Sequence, residues 1–218
     1  MAMNFEQARV NMVENQVRPW DVLDSRVLEI IGRIRREDFV APAHRQLAFA
    51  DLCLPLGHGE VMMKPVVEGR VLQAMDLHPT DQVLEIGTGS GYLSACLAGL
   101  AAQVTSLDIH ADFTAAAQRR LRDAGITNTN LLTADAVLAW EPTQKYNAIV
   151  ATGAVAQLPE RWLEWLAPGG RLLVIRGQSP VQQAALLTPA GTGVHEQTLF
   201  ETDLPYLRHA EPVPAFVF

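Results

Sequence analysis

The chain of 218 residues is 49% hydrophobic and 19% charged, the composition of an ordinary globular protein able to bury a sizeable core. A formal charge of −7 and a pI near 5.3 run against a phosphate-backbone partner, and Arg35-Arg36 and Arg119-Arg120 read as solvated helix faces, so no nucleic-acid partner is expected. Cys53 and Cys96 stand far apart with no Cys/His group at metal-ligand spacing, and MAMNFEQARVNMVENQV has no apolar h-region; the expectation is a reducing, cytoplasmic location with no metal, no signal peptide and no membrane segment.

In chain order, residues 1–78 read as an N-terminal helical extension with a candidate active-site loop, packed on a core of residues 79–218, the two best treated as one domain. Helices are predicted over Phe5 to Val17 and, after Arg18-Pro19-Trp20, over Asp24 to Ile34, followed by a loop through Pro42, Pro55 and a turn at Gly57. Pro65, pre-set for a first helical turn, opens a helix running to about Met75. From about residue 80, strands and helices alternate. QVLEI (82–86) is a short apolar run stopped by Gly87, Tyr92 to Leu100 is a helix apolar on most sides, and QVTSLDI (103–109) is a second strand. ADFTAAAQRRLRDAGI (111–126) is a helix with Asp112 as its N-cap and Gly125 as its C′ residue. NLLTAD (130–135), YNAIVAT (146–152) and RLLVIRG (171–177) are further strands, with a Trp-rich helix from Glu160 to Leu166 before Pro168-Gly169-Gly170. VQQAALLT and VHEQTLF flank PAGTG as a terminal antiparallel hairpin. This order implies an α/β, doubly wound, mostly parallel sheet whose ligand lies beyond the carboxyl ends of its strands.

The segment VLEIGTGSGYL carries the strongest chemical signal. Gly87, Gly89 and Gly91 follow a predicted strand and open a predicted helix, where missing Cβ atoms allow a tight turn and close approach of a ligand. Asp108 closes the next strand roughly 20 residues on, where a carboxylate accepts hydrogen bonds from a ribose diol. A dinucleotide fingerprint would need glycine where Tyr92 stands, and Glu85, two residues before the first glycine, suits a cationic amino group better than a pyrophosphate. Two blander roles stay open: Glu85 as a strand-end charge facing water, and Asp135 as a helix N-cap.

This pattern resembles motif I of class I S-adenosylmethionine-dependent methyltransferases, a Rossmann-like fold. The resemblance implies a cofactor site made by Glu85, Gly87, Thr88, Gly89 and Gly91, by Asp108 and Ile109, and by Asp135 and Ala136 toward the adenine. The cofactor implied is S-adenosyl-L-methionine, with S-adenosyl-L-homocysteine as product. More narrowly, RVLEIIGRIRREDFVAP (26–42), LAFADLCLPLGHG (47–59), the Pro-led helix, YNAIVAT and QLPERWLEWLAPGGRLLV resemble the protein-L-isoaspartate O-methyltransferase family over nearly the whole chain. That likeness implies methyl transfer to a carboxylate of isoaspartyl residues in a damaged protein or peptide, a repair reaction.

The family's active-site loop reads about Q-T-I-S-Q-P-Y after a G-x-G turn, its serine turned toward the substrate carboxylate. Here Gly57, Gly59 and Pro65 match, with His58 between the glycines, while Val61, Met62, Met63 and Lys64 replace Thr, Ile, Ser and Gln. Two hydroxyls are gone. Met63 and Lys64 therefore occupy the catalytic positions, Lys64 as a compensating donor or a solvated lysine, and Met62 and Met63 as core packing or an apolar pocket wall. Three alternatives to repair follow: another, unknown carboxylate acceptor on the same scaffold, a cofactor-binding interaction protein without turnover, and a nicotinamide oxidoreductase. ATGAV stands where an N-P-P-Y-like motif would mark methylation of a base amine.

Overall fold

The computed structural model describes residues 3–191 and 193–213. Asn4 caps α1 (Phe5–Met12) by accepting from the Gln7 N–H at 3.1 Å. The single helix expected to Val17 widens instead into a π-helical turn (Val13–Val17) and tightens into a 3₁₀ turn (Arg18–Trp20). Pro19 explains the change of pitch: it has no N–H to donate to the Asn15 carbonyl. Asp24 caps α2 (Ser25–Arg33), accepting from the Arg26 N–H at 2.8 Å, and the helix buries Val27, Leu28, Ile30 and Ile31.

Short 3₁₀ turns (Arg36–Asp38, Pro42–Leu47) lead to a hairpin where the sequence predicts a loop. Strands β1 (Leu54–Gly57) and β2 (Glu60–Met62) pair as an antiparallel hairpin, with Gly57 opposite Glu60 and His58-Gly59 at its tip. Gly57, His58 and Gly59 all have positive φ, 117°, 55° and 85°, so the tip is built on left-handed backbone. α3 (Pro65–Met75) follows with Pro65 in its first turn, as expected.

The sheet has seven strands in the order β5-β4-β3-β6-β7-β8-β9. β3 (Gln82–Ile86), β4 (Gln103–Asp108), β5 (Thr129–Thr133), β6 (Tyr146–Val155) and β7 (Leu166–Gln178) run parallel, and β8 (Val181–Ala190) and β9 (Gly193–Thr202) complete it as an antiparallel hairpin. α4 (Tyr92–Ala98) is shorter than predicted and ends at Gly99. α5 (Ala111–Asp123) has His110, not Asp112, at its N-cap; Asp112 lies in the first turn, and its carboxylate turns outward to His58 at 3.0 Å. Gly125 is the C′ residue with φ 72°: its N–H reaches Arg122 O at 3.0 Å and that of Ile126 reaches Leu121 O at 2.9 Å, a Schellman closure. The Trp-rich helix shrinks to one turn, α6 (Arg161–Glu164), because Leu166 already pairs with Tyr146 and Pro168-Gly169-Gly170 bulge inside β7.

Strand alternation separates two buried layers. Val83, Ala148, Val150, Leu173 and Ile175 share one cluster with α3, α4 and the N-terminal residues Val17, Ile30 and Ile31. Leu84, Ile86, Ile149, Leu172 and Val174 face the opposite cluster with Trp162 and Trp165. After β9 a strap of residues 203–213 returns across the sheet, pairing Tyr206 with Ala154 and fixing Leu204 to the Gln182 side chain by bonds of 2.8 and 3.0 Å. Among the described residues no helix is long and apolar enough to cross a membrane.

Arg36 ties the extension to the core. Its guanidinium is fully buried, donates to Ala48 O at 2.8 Å and Met63 O at 2.6 Å, pairs with Glu68 on α3, and lies 4.7 Å over the Tyr92 ring of α4. Truncating one partner of such a pair leaves a buried charge. Arg36→Ala should lower the unfolding free energy in urea by about 3–5 kcal/mol, and removing Glu68 as well should recover part of the loss.

Candidate functional site

The chain leaves β3 through the glycine turn at the point where the connections switch direction, from β4 and β5 on one side to β6 on the other. Gly87 has φ 102° and its carbonyl accepts from the Thr152 hydroxyl at 2.7 Å, a contact that a Cβ at Gly87 would displace. Gly91, φ 84°, lets α4 pass α5 so closely that an added Cβ would sit 2.8 Å from that of Ala117. The turn's amides are spent within the fold: Gly87 and Thr88 donate to Leu107 O at 2.8 and 3.0 Å, and Gly89 donates to Asp108 Oδ2 at 2.8 Å.

A cleft enclosing about 690 Å³, part of it open to solvent, lies at these strand ends. Ile86, Gly87 and Gly89 form its floor, Asp108 and Ile109 one side, Asp135 and Ala136 another. Asp108 is nearly buried, each oxygen holding one backbone amide, Gly89 at 2.8 Å and His110 at 2.9 Å. Burial raises its pKa against those two bonds, and each oxygen keeps a lone pair for a hydroxyl donor. Asp135 both lines the cleft and caps the turn that follows, Oδ1 accepting from Val137 at 2.8 Å and Leu138 at 3.0 Å, Oδ2 facing His209 Nδ1 at 2.7 Å. Burial would raise its carboxyl; these bonds outweigh it and hold the pKa low. Trp162 Nε1 and Arg161 each donate to Ala136 O at 3.0 Å, fixing this wall from below.

Glu85 does not line the large cleft. It points to the α4 side of the sheet, into a pocket of about 300 Å³ under the glycine turn that it shares with Met62, Met63, Glu68, Thr88 and Ser90. Its Oε2 accepts from Ser94 and, at 2.6 Å, from Ser106, which meets Thr88 at 2.6 Å; its Oε1 is buried with no partner. The blander reading of a strand-end charge facing water is excluded, because Glu85 is wholly buried. Burial pushes its carboxyl up to about 8 although Ser106 and Ser94 oppose the shift.

The hairpin tip closes the cleft from above with Leu56, Glu60 and Val61. Met62 and Met63 are buried and Pro65 starts α3, whereas Lys64 stands at the N-cap of α3 and lines neither cavity. The compensating donor expected of Lys64 is not at the cleft. Arg208 is: it lies on the strap, donates to His58 O and stands 3.3 Å from Glu60, as the cleft's one guanidinium among the described residues. Sequence reasoning missed Arg208, His209, Pro205, Leu207 and Thr152, since only tertiary pairing brings the strap over β6.

A family model described as protein-L-isoaspartate(D-aspartate) O-methyltransferase matches residues 7–202. A protein-L-isoaspartate O-methyltransferase of Koribacter versatilis is 34% identical over 194 residues, 89% of this chain and 87% of that one. One from Gloeobacter violaceus is 33% identical, covering 92% of this chain and 98% of its own. Among solved structures, a β-aspartate methyltransferase from Plasmodium falciparum, crystallised with S-adenosyl-L-homocysteine, superposes with a TM-score of 0.81 at 18% identity, over 95% of this chain and 99% of that one. At that identity the likeness establishes the fold.

Because the Glu85 carboxyl is raised from 4.5 to about 8 on folding, its contribution to stability is complete below pH 4.5 and lost as pH rises through 8. Urea unfolding of wild type and Glu85→Gln should therefore diverge, wild type losing stability between pH 5 and about 8.5 more steeply than the variant. Parallel pH profiles would show that the carboxyl is not strained by burial.

Proposed function

The chain belongs to the protein-L-isoaspartate(D-aspartate) O-methyltransferase family, and from that premise we propose how its cleft carries the reaction. It is an O-methyltransferase that uses S-adenosyl-L-methionine and acts on isoaspartyl residues of proteins, a repair activity. The cofactor, when bound, supplies an electrophilic methyl group on a sulfonium. The residues present fit it. The unpaired buried oxygen of Glu85 is the observation that carries the reading: burial raises its carboxyl, and a cationic donor such as the cofactor's ammonium would supply the missing partner and favour the ionised form. Gly87, Thr88, Gly89 and Gly91 would give it close backbone approach, Asp108 would take the ribose hydroxyls beside Ile109, and Asp135 with Ala136 would border the adenine.

Methyl transfer to an ionised carboxylate is an in-line displacement and needs no general base. The chain's work is to strip water from the acceptor, align it and hold it. Val61 and the strap residues Pro205 and Leu207 make an apolar wall, while Arg208 is the permanent cation within the cleft able to hold an acceptor carboxylate. It would exchange Glu60 for that acceptor.

A second reading, a different acceptor on the same scaffold or cofactor binding without turnover, draws on Met63. Its thioether stands in the inner pocket beside two buried carboxyls, Glu68 and Glu85, and the hydroxyls there are engaged elsewhere, Thr88 with Ser106, Ser90 with the Tyr92 N–H and Thr152 with Gly87 O. We treat residues 1–78 and 79–218 as one folding unit, a view supported by their shared buried cluster. A cytoplasmic location and the absence of a nucleic-acid partner rest on the free Cys53 and Cys96 and the acidic charge.

Radiolabelled methyl should pass to an isoaspartyl peptide and not to its normal aspartyl twin; no incorporation at high enzyme concentration would leave only the second reading. Arg208→Ala should lower kcat/KM for that peptide by about 10–100-fold, the worth of a hydrogen bond to a charged group. Met63→Ser should raise it; unchanged turnover would mean that the wall, not the missing hydroxyl, sets the rate.

A further inference from the structure

We propose that the hairpin tip and the start of α5 form a site for a divalent transition metal of the zinc class, with His58, His110 and Asp112 as ligands. No sequence spacing announces it, because His58 and His110 come from different elements and meet only in the fold. Ligand atoms of the three residues all lie within 4.8 Å of one another. His58 Nε2 is 3.0 Å from Asp112 Oδ2, and the two imidazoles stack at 4.1 Å, both edge-on to Phe113.

A stack of imidazoles is held by packing alone, so the second observation matters more. His110 Nε2 is buried and has no hydrogen-bond partner among the described residues; the nearest carboxylate oxygen, of Glu60, is 3.9 Å away. The 3.0 Å between His58 and Asp112 is a little under the spacing of about 3.3–3.5 Å that two ligands adopt across a tetrahedral ion with bonds near 2.0–2.2 Å, and the third ligand lies within reach of both. His58, half exposed on a left-handed turn, is the ligand free to rotate inward. Two imidazoles with carboxylates select zinc-like ions over magnesium or calcium, which prefer oxygen alone. Asp112 and Glu60 outweigh Arg208, the one permanent cation paired with Glu60 here, so the local field favours a dication.

The metal would rivet the hairpin tip to the backbone that runs directly on from Asp108, and the site stands or falls without reference to methyl transfer. Titration calorimetry of chelator-washed full-length protein with zinc chloride should show one saturating equivalent. Asp112→Asn, at an exposed position, and His58→Asn, which retains a residue tolerant of the left-handed turn, should each weaken binding about tenfold or more. His195→Ala, on the distant β9, should leave it unchanged. Absence of saturable heat at millimolar zinc, or affinity unaltered in both ligand variants, would overturn the proposal, as would loss of binding through His195→Ala.

Discussion

A wholly buried guanidinium is the constraint on which the rest of the molecule depends. Arg36 cannot be desolvated without partners for its donors, and those partners, Ala48 O, Met63 O and Glu68, come from three separate stretches of chain. Satisfying one side chain therefore draws the 3₁₀ turns, the loop after β2 and α3 into a single arrangement, with the ring of Tyr92 on α4 beneath. α4 is the helix opened by the glycine turn. The Met62-Met63 wall is thereby tied to that turn by a hydrogen bond from Arg36 to Met63 O as well as by the apolar contacts around it.

The same economy governs the carboxylates. Gly87, Thr88, Gly89 and Gly91 spend their amides within the fold, while one oxygen of Glu85 has no partner among the described residues and Asp108 keeps spare lone pairs. A residual acceptor inventory with so few donors left over selects for a ligand that brings its own positive charge and its own hydroxyls. Serines and a threonine around Glu85, rather than cations, hold it in place, so burial raises its carboxyl with no positive charge of the fold to offset it.

Much of this was legible from residues alone, and the failures have identifiable causes. β3 and α3 lie where they are expected, because a short apolar run stopped by a glycine and a proline-led helix are determined locally. The glycines and the acids of three neighbouring strand ends could be grouped from spacing, which the parallel order then placed side by side. Asp112 was misjudged as a cap because capping preference says nothing of a competing partner; His58 takes that carboxylate and leaves the cap position to His110. Lys64 looked like the available cation only while distance was counted along the chain. Arg208, 144 residues later, reaches the cleft because backbone pairing with Ala154 and the Gln182 clasp guide the strap there.

That strap separates two events in the life of the molecule. All seven strands precede residue 203, so a chain emerging from the ribosome can assemble its entire sheet while one wall of the cleft, with its guanidinium, is still being synthesised. Acquisition of secondary structure and acquisition of a complete pocket are then distinct in time, because Pro205, Leu207 and Arg208 reach the cleft only after the last strand has been made.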